Sequence, residues 1–148
     1  LGNKDAQALR PHAHDPALHA WLTARLRQPS IYDEFLRWLS RHGHPVPKER
    51  VERDWTQPYE AHPQVTAVFA RIYQRPEEHW DAYEMCEKLV DVEERFSLWR
   101  FRHLKTVQRI IGSRPGTGGS SGVAFLKKAL DLTFFPELWD VRTELEPR

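Results

Sequence analysis

A lone histidine, a glycine-rich run and two close histidine pairs are the parts of this 148-residue chain with the residue types for chemistry. His103 stands four residues after Trp99 and four before Val107, so on a helix all three share one face. That face is apolar, and an imidazole on it must be neutral or well paired. Two uses meet that demand: a core histidine hydrogen-bonded to a neighbour, or a ligand to a metal or a haem iron. The run from Ser113 to Gly122, SRPGTGGSSG, holds too much glycine for a helix or a strand interior. It suits either a connector or a loop whose Thr117, Ser120 and Ser121 hydroxyls close over a polar ligand. A helix starting just after it would add an anion-attracting N-terminus. Phosphate-loop chemistry is excluded, because no Lys-Ser or Lys-Thr pair follows the last glycine and no strand precedes the run.

His12 and His14, and His42 and His44, each place two imidazoles close together. Neither pair has cysteine or carboxylate partners at zinc-ligand spacing, and both adjoin proline-rich turns, so solvated histidines are expected. Asp91, Glu93 and Glu94 are expected on the solvated side of a long helix rather than as an acid–base pair. Cys86 has no oriented base beside it and is assigned to buried packing. As the sole cysteine it excludes an internal disulfide and fits a reducing, cytoplasmic setting.

The elements that must position these residues are helical. Apolar residues recur at three- and four-residue spacing, alternating strand patterns are absent, and the fold class is all-α. Asp15 before Pro16 starts a helix through Leu18, Trp21, Leu22 and Leu26 that ends near Pro29. Ser30 caps a second, with Ile31, Phe35, Trp38 and Leu39 on one face and Gly43 at a left-handed C-terminal cap. Prolines 45, 47, 58 and 63 make a connector with about two turns between Glu49 and Trp55. A third helix runs from about Gln64 to Tyr73, presenting Val65, Val68, Phe69 and Ile72 to a core.

From Glu77 to Ile111 no proline or glycine intervenes. A single central helix of about 35 residues would be about 52 Å long, against a radius of gyration of about 15 Å for a compact domain of this length. Its seam of Trp80, Tyr83, Leu89, Val92, Phe96, Trp99, Val107 and Ile110 therefore requires cover from other parts of the protein or from other subunits. Two shorter helices, about 123–130 and 136–145, close this helical bundle. With 40% hydrophobic and 29% charged residues the composition is globular rather than disordered. The 22 basic and 21 acidic residues leave a net charge of +1, too small a field to recruit nucleic acid or an anionic membrane. No run of about 18 apolar residues occurs, so no membrane partner is expected.

Two stretches carry a resemblance: WRFRHLKTVQRIIG, residues 99–112, and GTGGSSG, residues 116–122, with Thr117 fourteen positions after His103. Together with LGNK at 1–4, RDWT at 53–56, LVDVE at 89–93 and FFPELWDVRT at 134–143, they resemble the bacterial members of the tryptophan 2,3-dioxygenase family. The resemblance runs through residues 1–148 and implies the C-terminal portion of a single all-helical haem dioxygenase domain. It implies one haem b per subunit with His103 as the axial ligand of the iron, and Thr117 contacting the ammonium of bound L-tryptophan. The family inserts both atoms of O₂ across the indole C2–C3 bond to give N-formylkynurenine, and it forms homotetramers. Its distal histidine, in a Gln-His-Gln motif, and its carboxylate-gripping arginine precede the region matched here, and neither motif occurs in these residues. No catalytic residue is then expected within this chain, which would need the N-terminal half of the subunit for turnover. Two alternatives remain: a related haem dioxygenase acting on another indole, and a non-catalytic helical module whose seam binds partner helices.

Overall fold

The computed structural model describes residues 4, 6–112, 114 and 122–145, and among them there is helix and no strand. A 3₁₀ helix, Ala6–His12, leads into α1 (Pro16–Leu26), α2 (Ile31–Arg41), α3 (Lys48–Val51), α4 (Pro63–Gln74), α5 (Trp80–Ile111), α6 (Gly122–Leu130) and α7 (Pro136–Glu144). The chain forms two compact units, Leu1–Glu84 with Phe134–Arg148, and Met85–Thr133. No described helix is long and apolar enough to cross a membrane.

In the first unit the helix ends follow the local chemistry of their sequences. Asp15 accepts from the Leu18 N–H at 3.0 Å while Pro16 opens α1. Ser30 and Asp33 form a reciprocal capping box at the start of α2, each side chain accepting from the other's backbone N–H at 3.1 and 2.8 Å. After α2, Gly43 takes φ +85°, and the His44 and Gly43 amides donate to Leu39 and Ser40 carbonyls at 3.0 and 3.2 Å. That is the double bond pattern of a Schellman turn, and it consumes two carbonyls the helix end would otherwise leave free.

The core of this unit lies where α2, α4 and α7 meet. Tyr32, Leu36 and Leu39 of α2, Val65, Phe69 and Ile72 of α4, and Phe135, Leu138 and Val141 of the closing segment are all fully buried. Tyr32 is the hub, with Phe135 at 5.2 Å and Phe69 at 6.4 Å between ring centroids. Burying one such side chain is worth about 1.5–3 kcal/mol, so these contacts outweigh the weak intrinsic helicity of the nine-residue α7. Three expectations need correction here. Ile31 is exposed, and Tyr32 and Leu36 complete the buried face of α2 instead. The connector holds one turn, α3, rather than two. α1 forms as expected but buries none of its residues, leaving Leu18 and Trp21 exposed.

α5 begins at Trp80 rather than Glu77, because Pro76 opens a separate turn, and its 32 residues span about 48 Å. Within the second unit its apolar residues fall into more than one stripe. Cys86, Leu89, Val90, Glu93, Arg100 and Leu104 form a buried stripe. Val92, Phe96, Trp99, His103 and Ile110 form another, rotated from the first by about a quarter of a turn, and every member is exposed. Leu98 and Phe101 lie exposed on a third side. A helix apolar on so many sides has the pattern of one enclosed by protein. α6, which closes this unit, likewise has no buried residue and holds Phe125 out to solvent.

Candidate functional site

His103 lies three-quarters of the way along α5, in the exposed apolar stripe. The sequence expectation of a covered, well-paired imidazole is not met within this chain, where His103 is exposed. Among the described residues its ring nitrogens have no hydrogen-bond partner, and its ring neighbour is Trp99, whose indole stacks on the imidazole at 5.2 Å between centroids and 3° between planes. The helix dictates this meeting, since side chains lean towards the N-terminus and residues four apart lie one above the other.

The stack continues below Trp99. Phe96 packs against Trp99 at 5.4 Å, and the Arg100 guanidinium lies 5.1 Å over the Phe96 ring. Arg100 is 8% exposed and donates through Nη1 to the Leu132 carbonyl at 2.7 Å, tying α5 to the stretch that follows α6. Burial pulls the Arg100 pKa below its ordinary value, and the charge of Glu93 opposes that shift. Glu93 thus departs from its expected solvated position: it is 3% exposed and faces the same side as Arg100, while Asp91 and Glu94 are exposed as expected. A buried carboxylate beside a buried guanidinium is tolerable where either alone is costly.

The other sequence candidates divide. Thr117 and the surrounding glycine run lie outside the described residues. Cys86 is fully buried, as expected of packing. Among the described residues no group of three or more His, Cys, Asp or Glu side chains is placed to hold a metal ion. His42 instead stacks on Trp38 at 4.0 Å and bonds the Trp38 carbonyl through Nδ1 at 2.8 Å. His44 meets His79 edge to face at 5.1 Å. Burial depresses the His44 pKa, and the nearby His79, His42 and Arg71 charges add to that depression.

Two buried polar clusters were not foreseen. Glu137, with no solvent exposure, accepts from the Tyr32 hydroxyl at 2.8 Å, the Tyr59 hydroxyl at 2.5 Å and the His62 N–H at 2.8 Å. Burial, then the Glu137 charge and its hydrogen bond, pushes the Tyr59 pKa far above the ordinary phenol value. Asp33 is gripped by Arg53 in a two-pronged pair at 2.7 and 3.0 Å. Burial opposes ionisation of Asp33, but the Arg53 and Ser30 hydrogen bonds and the Arg53 charge together hold its pKa below the ordinary value. Arg53 Nη1 also donates to the Gln57 carbonyl at 2.8 Å, so one guanidinium fixes both the α2 cap and the following connector. A carboxylate set within the apolar run FFPELW was the signal for the first cluster; the second had none beyond a charged residue at a helix N-terminus.

Residues 66–145, from the first turn of α4 through the end of α7, match the model of the family described as tryptophan 2,3-dioxygenase. The chain belongs to the tryptophan 2,3-dioxygenase family. Named tryptophan 2,3-dioxygenases extend the match to nearly every residue. That of Myxococcus xanthus (strain DK1622) is 70% identical over 147 residues, covering 99% of this chain and 50% of the relative. That of Serratia proteamaculans (strain 568) is 63% identical over 145 residues, covering 98% and 52%. That of Burkholderia pseudomallei (strain 668) is 56% identical, covering 98% and 47%. The chain therefore spans about half the length of the tryptophan 2,3-dioxygenases it matches. The region of the family model takes in α5 with His103, the glycine run with Thr117, and Glu137.

The exposed stripe of α5 also fits the prosthetic group that the resemblance implies. An axial ligand must present a ring nitrogen free of competing hydrogen bonds, and a flat macrocycle needs apolar and aromatic surface beside it. His103 with Trp99, Phe96 and Ile110 supplies both.

Proposed function

We propose that this chain is the haem-ligating and substrate-loop portion of a tryptophan 2,3-dioxygenase, acting with the N-terminal half of the subunit in a cytoplasmic homotetramer. The observation that carries the proposal is His103: an imidazole without a hydrogen-bond partner among the described residues, exposed in the middle of an aromatic stripe, in a chain of this family. Haem b, when bound, supplies the open iron position at which O₂ is activated for insertion across the indole C2–C3 bond of L-tryptophan, giving N-formylkynurenine.

The residues of this chain bind and orient. His103 would hold the iron through the lone pair of a ring nitrogen. Once covered by the haem and the rest of the subunit, the stripe would exclude water there, lowering the local dielectric and strengthening each polar contact. The Thr117 hydroxyl accepts from the substrate ammonium. The distal and carboxylate-binding groups come from the other half of the subunit.

The test is the haem absorbance spectrum of the full-length subunit with and without His103→Ala. A Soret band that is lost or shifted in the variant, together with N-formylkynurenine formation by the unaltered protein, is the expected result. A purely helical docking role for the exposed stripe predicts no Soret band at all. Turnover of another indole in place of L-tryptophan would keep the haem and change the substrate.

A further inference from the structure

We propose that Trp99 is the positioning residue of the His103 imidazole: its indole, parallel to that ring, sets the plane in which the metal-facing nitrogen lies. The proposal rests on His103 being the haem ligand and adds to it a second residue that nothing about the ligand itself requires.

A metal-ligating histidine has two torsions, and the lone pair it offers lies in the plane of its ring. Rotation about the bond between Cβ and the ring therefore sweeps the donor direction unless a second contact stops it. Ligating histidines commonly solve this with a hydrogen bond from the other ring nitrogen. Among the described residues His103 has no such acceptor. What it has is a planar neighbour one helical turn earlier, with 3° between the two planes. Any rotation of the imidazole out of that plane costs stacking overlap, so the indole supplies the restraint that a hydrogen bond supplies elsewhere.

A restraint works only if it is itself held. Trp99 also packs against Phe96, Phe96 lies beneath the Arg100 guanidinium, and Arg100 is buried and bonded to the Leu132 carbonyl. The ladder thus ends in a short hydrogen bond rather than in a free side chain. Trp99 itself is 57% exposed, so its size and flatness are not explained by packing within this chain. Its indole lies parallel to the imidazole, which is the placement such a restraint requires.

The experiment compares Trp99→Leu, which removes the flat face, and Trp99→Phe, which keeps a smaller one, in the full-length haem-containing subunit. The readouts are the Fe–His stretching band of the ferrous protein by resonance Raman and steady-state kinetics with L-tryptophan. The expected result for Trp99→Leu is a retained Soret band, a shifted and broadened Fe–His band, and kcat lower by about 2- to 10-fold, the factor a stacking contact supplies, with KM unchanged. Trp99→Phe should recover most of both signals. In the haem-free protein, the ring-current shift of the His103 imidazole protons should vanish in Trp99→Leu, a readout that needs no haem and no turnover. An unaltered Fe–His band, or unaltered imidazole proton shifts, in Trp99→Leu overturns the proposal while leaving the haem assignment intact. If instead His103→Ala leaves the Soret band untouched, the ligand assignment itself falls.

Discussion

Replacing Glu137 by alanine should be among the most damaging single changes in the first unit. The carboxylate is fully buried and is the common acceptor for the Tyr32 and Tyr59 hydroxyls and the His62 amide. Alanine removes the acceptor that all three donors share, and of their residues Tyr32 is fully buried while Tyr59 and His62 are half-buried. Each orphaned buried donor costs about 1–3 kcal/mol, though Tyr59 can turn towards solvent and part of the space can collapse. A net loss of about 3–5 kcal/mol follows, at the upper end of single-residue effects. Glu137→Gln keeps the shape and lets its carbonyl accept from Tyr59 and His62, but its amide can only donate to the Tyr32 hydroxyl, so charge assistance and the acceptor for Tyr32 are both lost and the cost should be about 1–3 kcal/mol. The assay is urea unfolding followed by far-ultraviolet circular dichroism, with the denaturant slope checked for constancy between variants. In the Tyr32→Phe background Glu137→Ala should cost less than in the parent, because one stranded donor has been removed with its acceptor. Equal costs in both backgrounds, or a loss below about 1 kcal/mol for Glu137→Ala, would refute the claim that this carboxylate holds the three elements together.

Arg53→Met should destabilise by about 3–5 kcal/mol, since it leaves Asp33 buried and uncompensated; the midpoint of thermal unfolding measures it. Because Asp33 has a depressed folded pKa, its stabilising contribution is complete above the ordinary carboxylate pKa and disappears as pH falls through the folded value, so Asp33→Asn should flatten the acid limb of the stability–pH profile. His44 is also depressed, by burial and the His79, His42 and Arg71 charges, so stability should fall as pH drops from the ordinary histidine pKa through the lower folded one. His44→Gln should remove that mild-acid loss, as read from denaturant midpoints across the pH range. Gly43→Ala meets no atom within 4 Å but must hold φ +85°, and should cost about 1–2 kcal/mol in the same assay from backbone strain alone.

The helices were legible because their ends carry local chemistry. Asp15-Pro16, Ser30 and Gly43 act within four residues of themselves, and the structure uses each as the sequence implies. Burial was legible where periodicity was clean, as in Val65, Val68, Phe69 and Ile72. It was less so in α5, where apolar residues on several sides merge into one apparent seam; only the structure separates the stripe that is covered from the stripe that carries His103. Glu93 was placed in solvent because charge near charge on a helix ordinarily is solvated, a rule overridden by its neighbour Arg100. Glu137 was out of reach because its partners come from positions 32, 59 and 62, and no local pattern announces a contact across 105 residues.

That long-range closure sets a timetable for biosynthesis. Tyr32 emerges from the ribosome long before the residue it must bond, and at roughly 5–20 residues per second it waits about 5–20 seconds. During that interval α2 and α4 have no α7 to seal them, and Tyr32 and Phe69 lack the cover that Phe135 and Leu138 later give. Joining positions so far apart costs about 4 kcal/mol in chain entropy before any contact rewards it. The first unit is thus committed to completion after translation of its closing segment, and a nascent chain stalled before Glu137 would present its aromatic hub to chaperones, or to other nascent chains.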